Sequence, residues 1–510
     1  MTQANAPDNI APVTNARVAS SVGTSMLARL SGLIDVIAQP IYVALFGLAS
    51  FGLYAVLWSA VNLAENIADL GQTSAMQRTV PQAASEAEAA EAFRAAMLLG
   101  VVPPLLLAIL GAIFAPQVAA FFNADAIDSE RLIFAIHLFI WALPLWAFVE
   151  VATSAMRARH VFGAEIRLRL FWEQSLRLVF AVVFWAMGWG ILGLLAAHLL
   201  SLSVTALLAA RMALRYFHGR ALFGRVRPAL LKESLMAGLA VLPANMSQRF
   251  YSDGAPIALN WLIPGGGGAV AAGLFTIARK ISSIIQTIRL GFAYVLAPLA
   301  SAARRGRGDE VREVYGFATR VLTALALPSG LVLAAAAPAI LALFGKGAAT
   351  AATAVAILIT SRILEALAGA AQPIQQVISS YRAQVLASFA GIAVAIATGW
   401  LLLPAGGLTG MAVAVTAGLV TGAMLPVLQL WAEDGLHPFA APFARMFGIS
   451  LIIGVIFAGA TRLTMGWPVA IALPLSLVLL LLATWLACRF ALPLGDRAAL
   501  GKTGRALKLV

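Results

Sequence analysis

Long stretches without any charged side chain alternate along the chain with short connections that carry charge. Four such stretches cover residues 95–124, 178–210, 321–345 and 383–432. Because a helix needs about 20 apolar residues to cross a bilayer, each stretch predicts one crossing, or two joined by a tight turn. Pro and Gly breaks then divide the chain into fourteen predicted helices. They lie near residues 23–45, 51–72, 95–118, 132–155, 170–188, 191–213, 233–262, 267–302, 311–335, 352–378, 383–403, 407–431, 442–462 and 467–490.

The charged connections favour one side of the predicted membrane. With the N-terminus inside, 26 of the 35 basic residues fall in cytoplasmic segments, and the outer side keeps only Arg131, Lys346 and Arg462. Cytoplasmic loops of membrane proteins carry such an excess of Arg and Lys. One missed helix would invert every later connection and remove the bias. The charges therefore support fourteen crossings with both termini in the cytoplasm.

Composition agrees with an integral membrane protein. The chain of 510 residues is 61% hydrophobic, has a mean hydropathy of +0.91 and carries a net charge of +13. Basic loops lying against anionic lipid headgroups explain that charge, so we expect no nucleic-acid partner. Cys488 is the single cysteine, which excludes a disulfide within the chain. The five histidines show no metal-ligand spacing, and we predict no metal site.

The predicted helices form two sets of six followed by a final pair. The predicted units are a cytoplasmic tail (1–22), an N-lobe (23–213), a basic cytoplasmic linker (214–232), a C-lobe (233–431), helices 13 and 14 (442–490) and a basic cytoplasmic tail (491–510). No predicted outer loop reaches the roughly 50 residues that a folded domain needs. We therefore expect no enzyme, which argues against a membrane glycosyltransferase, polymerase or ligase. The sequence also lacks the Gly-rich nucleotide-binding loop of an ATP-driven pump.

The two sets of six helices carry a related pattern. Arg29 lies 23 residues before Gly52-Leu53-Tyr54, and Arg249 lies 24 residues before Gly273-Leu274-Phe275. In both places a long helix with a buried Arg leads into a Gly-Leu-aromatic motif. The six-helix separation indicates a duplicated half. Transporters with such repeats place their substrate site between the halves, near the middle of the membrane.

Several short segments resemble one family of transporters. The sequence LFGLASFGLY at 45–54 resembles the "LG…FGxY" turn of polysaccharide flippases, and ADLG at 68–71 followed by Arg78 resembles the end of their second helix. Residues 273–298 resemble their eighth helix, and LFGK at 343–346 resembles an outer segment. The chain is therefore similar to the polysaccharide (Wzx-type) flippases of the multidrug/oligosaccharidyl-lipid/polysaccharide (MOP) exporter superfamily.

This resemblance implies an all-α polytopic membrane protein with two six-helix lobes in a V shape plus two C-terminal helices. It implies a flippase of the bacterial inner membrane that carries polyprenyl-diphosphate-linked oligosaccharide by alternating access, for lipopolysaccharide or exopolysaccharide synthesis. The polymerase and glycosyltransferases of the same pathway are then candidate partners. No cofactor is expected, with Na⁺ or H⁺ as a candidate coupling ion. The alternative within the superfamily is a cation-coupled multidrug (MATE-type) exporter.

Six basic residues within the predicted helices are candidates for a cationic, diphosphate-binding cavity. A charge inside the membrane usually faces a cavity or a partner, and guanidinium grips phosphate oxygens in pairs. Arg279 and Lys280 are adjacent and point about 100° apart, so we expect one of them, Arg279, to face the cavity. The candidates are Arg29, Arg249, Arg279, Lys280, Arg289 and Arg362.

Five acidic residues are candidates for binding a coupling ion or for gating. They are Asp35, Glu65, Asp69, Asp253 and Glu365. The spacings of Arg249 with Asp253 and of Arg362 with Glu365 also allow ion pairs within one helix. Glu150 and Glu173 are expected to pair with arginines of a cytoplasmic cluster. That cluster comprises Arg157, Arg159, Arg167, Arg169 and Arg177.

Helices 13 and 14 carry almost no polar residue inside the membrane. Two roles are open for them. They pack as lipid-facing helices, or they form a groove for a polyprenyl tail.

The predicted orientation has a direct test. A reporter enzyme that is active only outside the cytoplasm is expected to be silent when fused after Val510 and active when inserted near Asp125, because the basic connections stay inside. Reporter activity in cells gives the measurement. The reverse pattern would mean that the number of helices is wrong by an odd number.

Overall fold

A computed structural model shows an all-helical protein. The structure describes residues 33–159, 161, 165–217, 224–303, 308–368, 370–378, 381–439 and 441–509, and within them every regular element is a helix. Ten of these helices are long and apolar enough to cross a membrane. The predicted all-α polytopic fold is thus confirmed. Arg29 and the side chain of Asp35 lie outside the described part of the chain.

Six main helices build the described part of the first half, with short helices at Gln72–Thr79, Ala115–Ala119 and Ala126–Ser129 between them. The main helices are α1 (Leu33–Phe46), α2 (Leu48–Ala68), α3 (Glu86–Ile113), α4 (Leu132–Ala158), α5 (Glu173–Ala186) and α6 (Ile191–Tyr216). A π-helical segment, Ile166–Trp172, precedes α5 and extends it. Helix α3 begins nine residues earlier than predicted, because the Ser85 hydroxyl accepts a hydrogen bond from the backbone N–H of Glu88 and caps the helix.

Eight further helices build the second half. Helix α7 (Pro228–Arg249) passes through a π-helical turn (Phe250–Gly254) into Ala255–Leu262. The others are α8 (Gly266–Ala303), α9 (Gly308–Ala342), α10 (Ala352–Ala368, followed by Ala371–Ile378), α11 and α12 (the two arms of Tyr381–Asp434), α13 (Ala441–Leu463) and α14 (Val469–Phe490). Each of the fourteen predicted segments therefore coincides with a helix where the structure describes it.

Glycine makes the tight turns that the sequence predicted from helix breakers alone. Gly407 has φ +48° and separates α11 from α12. Gly188 and Gly190 have φ +74° and +55° and separate α5 from α6. An L side chain rarely adopts these angles, whereas glycine does so at little steric cost.

The two lobes meet where α2 crosses α8. A Cβ at Gly273 would lie 2.9 Å from the Cα of Gly52, and a Cβ at Gly52 would overlap the carbonyl oxygen of Ala269. Both glycines belong to the Gly-Leu-aromatic motifs of the predicted repeat. Small residues allow membrane helices to approach until their backbones touch. The repeat motif is therefore one place where the two halves contact each other.

A second contact lies at the other end of α2, on the side of the basic connections, which we call the basic side. Gly71 has φ +72° and leaves no room for a Cβ against the backbone of Gly238 on α7. The Gln72 amide donates to the carbonyl of Ser234 at 3.1 Å and accepts from the Ser234 hydroxyl at 2.7 Å. The lobes are thus joined through buried polar groups at this end.

An ion pair between the lobes reinforces the basic side. The backbone N–H and Nε of Arg227, at the start of α7, donate to Glu91 on α3 at 2.7 and 3.0 Å. Hydrogen bonds to Glu91 and Glu88 raise the pKa of Arg227. The pair is partly exposed, so it contributes less than the buried contacts beside it.

On the opposite side two asparagines hold the lobes together. The Asn123 amide donates to the carbonyl of Asn260 at 2.7 Å, and the Asn260 amide donates to the carbonyl of Asn123 at 2.7 Å. The backbone N–H of Asn123 also donates to Asn260 Oδ1 at 3.0 Å. The resemblance implied two lobes in a V shape. In this structure the lobes contact each other both on the basic side and on the opposite side.

Helices α13 and α14 pack against α9. The backbone of Gly454 lies directly against Pro328, and Cys488 belongs to a buried cluster with Tyr315. After α14, Asp496 accepts two hydrogen bonds from Arg320 of α9 at 2.5 and 2.8 Å. The two helices therefore pack onto the C-lobe, and a polyprenyl groove at them stays a prediction.

The α2–α8 crossing predicts a large difference between two glycine variants. Gly52→Val is expected to lower the midpoint of thermal unfolding by several degrees, because overpacking a tight contact costs about 1–3 kcal/mol. Gly459→Val on α13 is the matched control, since no heavy atom lies within 4 Å of the added Cβ. Unfolding of the purified protein in detergent gives both midpoints. Equal midpoints would contradict the close backbone contact.

Candidate functional site

A polar cavity lies between the lobes, in the middle of the helices. It consists of three adjoining chambers of about 220, 400 and 140 Å³, all of which are lined by Ser252 and Arg279. The π-helical turn of α7 and the middle of α8 form one wall. Helices α2, α4 and α5 form the other. We call this space the interlobe cavity.

Five of the six predicted cations line the interlobe cavity. They are Arg249, Arg279, Lys280, Arg289 and Arg362. All five lie on helices of the C-lobe. Arg29, the sixth, falls outside the described residues. The structure thus brings together side chains that are up to 113 positions apart in the sequence.

Both members of the adjacent pair line the cavity. Arg279 borders all three chambers, and Lys280 borders the chamber next to α2. The prediction that only one of them would face the cavity is wrong. The reason is that the chambers together surround more of α8 than the 100° that separates neighbouring side chains.

Arg249 pairs only loosely with its helical neighbour. Its Nη1 lies 3.7 Å from Asp253 Oδ2, and its side chain is 32% exposed. Asp253 accepts a closer hydrogen bond of 2.6 Å from the Ser252 hydroxyl. The predicted pairing is present, but its length leaves the guanidinium directed to the cavity as well.

One carboxylate holds two of the arginines. Arg362 Nη1 donates to Glu365 Oε2 at 2.6 Å, and Arg289 Nη2 lies 3.4 Å from Glu365 Oε1. Arg289 also donates to the Gln372 side chain at 3.3 Å. Three charged groups therefore carry a net positive charge in this chamber. Glu365 fixes the positions of both guanidinium groups.

The N-lobe wall carries most of the acidic groups. Glu65, Asp69 and Glu150 line the chamber on the basic side, and Glu150 pairs with Arg169 at 2.8 Å as expected. Asp69 accepts from the backbone N–H of Gly71 at 2.7 Å and so holds the turn after α2. In the described residues no three His, Cys, Asp or Glu side chains are placed to hold a metal ion.

Arg177 is a site residue that the sequence analysis placed in the basic cluster and not among the candidate cavity residues. It is 5% exposed, lines the interlobe cavity, and donates to Tyr54 Oη at 3.0 Å and to Glu173 at 2.5 Å. Tyr54 Oη also lies 3.0 Å from Nδ1 of buried His198, against which Trp58 packs. The predicted helix at 170–188 already contained Arg177, and this position within a membrane helix was the available signal.

The two walls differ in charge. Among the described lining residues, the C-lobe wall has five cations and two carboxylates, Asp253 and Glu365. The N-lobe wall has two cations, Arg169 and Arg177, and four carboxylates. In the sequence these charges are nearly balanced; the fold separates them by lobe. An anion entering the cavity would be attracted to the C-lobe wall.

The sequence matches one protein family. Residues 43–353, more than half of the chain, match a family described as "Polysaccharide biosynthesis protein". No curated protein matches the sequence.

Solved structures of flippases and exporters share the fold. A "Lipid II flippase MurJ, inward closed conformation" superposes with a TM-score of 0.69 at 10% identity, over 90% of this chain and 98% of that one. An inward-facing multidrug resistance MATE transporter of the MOP superfamily gives 0.64 at 18% identity, over 81% and 98%. Its outward-facing counterpart gives 0.58 at 18%, over 83% and 96%. At these identities the likeness establishes the fold.

The buried pair of Arg177 and Glu173 makes a stability prediction. Arg177→Ala is expected to cost about 3–5 kcal/mol, because a buried carboxylate loses its guanidinium. Removing both charges in Glu173→Gln/Arg177→Met is expected to recover most of that loss. Arg211→Ala, on the exposed part of α6, is the control. Thermal unfolding in detergent compares the four proteins, and an unchanged midpoint for Arg177→Ala would refute the structural role.

Proposed function

The chain belongs to the polysaccharide biosynthesis protein family and has the MOP-superfamily transporter fold, and from this premise we propose that it flips a lipid-linked oligosaccharide. The proposed substrate is a polyprenyl-diphosphate-linked repeat unit of a surface polysaccharide. Transport runs from the inner to the outer leaflet of the bacterial inner membrane, with both termini in the cytoplasm. No catalytic step and no cofactor belong to this proposal.

The observation that carries the proposal is the cationic C-lobe wall. A diphosphate presents several oxygens with negative charge, and Arg binds such oxygens through paired, charge-assisted hydrogen bonds. Arg249 and Arg279 line adjoining chambers and lie on α7 and α8, which follow each other in the chain. We assign the diphosphate to these two arginines and Lys280. Arg289 and Arg362 extend the positive wall toward α10.

The contacts at the two ends of the cavity fit alternating access. The Gly71–Gly238 contact joins the lobes on the basic side, and the Asn123–Asn260 bonds join them on the opposite side. Opening one set while keeping the other exposes the cavity to one side of the membrane. Rocking of two rigid lobes is a common way to achieve this in transporters with repeated halves.

The acidic N-lobe wall suits a coupling cation. Glu65 is 2% exposed and lines the same chamber as Asp69 and Glu150. Neighbouring carboxylates repel one another, so uptake of Na⁺ or H⁺ relieves that repulsion. We propose this wall, rather than Asp253 or Glu365, as the coupling site, because each of those two is already paired with arginine.

A cation-coupled multidrug exporter is the second candidate, favoured by the same acidic wall. The cationic wall would act differently on the cargo of each candidate function. A cationic drug would be repelled by five positive side chains on one wall, whereas a diphosphate would be held by them. The polysaccharide family match also favours the flippase. Polymerase and glycosyltransferases of the same pathway are the proposed partners.

Two arginine variants test the flippase. Arg249→Ala and Arg279→Ala are each expected to reduce transport of lipid-linked oligosaccharide in proteoliposomes about 10- to 100-fold, from the loss of one charged hydrogen bond worth about 1.5–3 kcal/mol. Arg211→Ala, outside the cavity, is the control. Export of surface polysaccharide and protein abundance in cells provide a second measurement. Normal export by the double variant would overturn the cavity assignment.

The same vesicles separate the two candidate functions. Imposed Na⁺ and pH gradients show whether either ion drives transport, and a fluorescent cationic drug replaces the glycan lipid as alternative cargo. Drug transport without glycan transport would favour the exporter.

A further inference from the structure

A large apolar groove lies beside the interlobe cavity, in the half of the C-lobe away from the basic side. It has a volume of about 980 Å³ and runs between the second part of α7 and the turn joining α11 to α12. Leu403, Met411 and Val415 form its floor and are each at most 7% exposed, whereas Trp400 stands at its rim and is 85% exposed. Its lining residues, all within the described part of the chain, carry no charge.

The π-helical turn of α7 forms a wall common to the groove and the cavity. Ser252 and Asp253 line the interlobe cavity, whereas Phe250 and Gly254 line the groove. A π-helical turn redistributes side chains around the helix axis, and such turns occur frequently at functional sites. In this chain the turn presents polar groups to one space and apolar groups to the other within five residues.

The Tyr251 side chain lies between the two spaces. The ring of Tyr251 enters a notch where α11 and α12 cross, and a Cβ at Gly391 or Gly418 would lie 2.6 or 2.7 Å from it. Ser388 and Gly422 line the cavity on one side of this notch, and Ala395 and Val415 line the groove on the other. The groove and the cavity therefore follow each other along α11 and α12, with the Tyr251 ring between them.

We propose that this groove takes the hydrocarbon tail of the lipid-linked substrate, with Tyr251 closing the passage to the cavity that binds the head. The inference rests on the proposed function, because it needs a substrate with an anionic head and a long apolar tail. Such a molecule requires a cationic polar space adjoining an apolar one, and these two spaces adjoin at Tyr251. The tail already lies in apolar lipid, so packing contacts within the groove, rather than removal from water, would hold it there.

This placement differs from a groove between α13 and α14. Those helices pack against α9, and the π-helical turn that borders the cavity belongs to α7. Side chains on α14 therefore serve as matched controls. Leu477 on α14 is 58% exposed, comparable to Ile396 at the groove, which is 54% exposed.

Photo-crosslinking of the full-length protein in proteoliposomes tests the groove. The probe is a polyprenyl diphosphate without sugar that carries a diazirine on its chain, and a diazirine-labelled phosphatidylglycerol is the comparison. We expect the polyprenyl probe to label peptides from 250–264 and 395–415, and unlabelled polyprenyl diphosphate to compete for these sites. Equal labelling by both lipids without competition would show ordinary bilayer lipid and overturn the proposal. Labelling confined to α13 and α14 would overturn it too.

Two variants fill the groove. Ala258→Trp and Gly399→Leu add bulk to half-buried lining positions, and at Gly399 the nearest atom to an added Cβ is 3.6 Å away. Each is expected to reduce labelling at the groove about tenfold, the effect of about 1.4 kcal/mol. Leu477→Trp is expected to leave it unchanged. Thermal midpoints identify a variant that fails to fold, and undiminished labelling in both folded variants would refute the assignment.

The crosslinking result and the transport result are independent. Glycan transport with no labelling of the groove would reject the groove and leave the flippase intact. Competed labelling of the groove without glycan transport would support the tail site and reject the glycan as cargo.

Discussion

The close crossing of α2 and α8 organises this protein. Gly52 and Gly273 let the two backbones touch, which is available only where neither residue has a side chain. Because α2 and α8 also line the interlobe cavity, their crossing sets the distance between its walls. Dispersion and backbone contacts drive such association in a membrane, where lipid is as apolar as the helix surface. A larger residue at either glycine would therefore alter the site as well as the interface.

Separation of charge between the lobes gives the cavity its character. Buried charges are costly unless they are paired or face water, and this chain uses both solutions. Glu365 holds Arg289 and Arg362, and Glu173 holds Arg177. Arg249 keeps a long contact with Asp253 and remains partly exposed. Pairing thus maintains the positions of the charges, while the C-lobe wall carries more cations than carboxylates.

The π-helical turn of α7 relates two chemically different spaces. It places Asp253 at the polar cavity and Gly254 at the apolar groove, with the Tyr251 ring between the two spaces. An uninterrupted α-helix would carry these consecutive positions around its axis in a regular rotation. A substrate with a charged head and an apolar tail matches such a pair of spaces. Arg249 directly precedes this turn, so the residues proposed to bind the head and the tail lie within six consecutive positions.

Sequence alone determined the helices, the two sets of six, the family resemblance and five cations that meet in one cavity. It could do so because each membrane helix satisfies its own backbone hydrogen bonds and matches the bilayer by itself. Only the tertiary structure decided that Arg177 lies at Tyr54, that Lys280 faces the cavity beside Arg279, and that the charges separate by lobe. Those outcomes depend on which face of each helix is covered by a neighbouring helix. The hydropathy of the sequence does not identify that neighbouring helix.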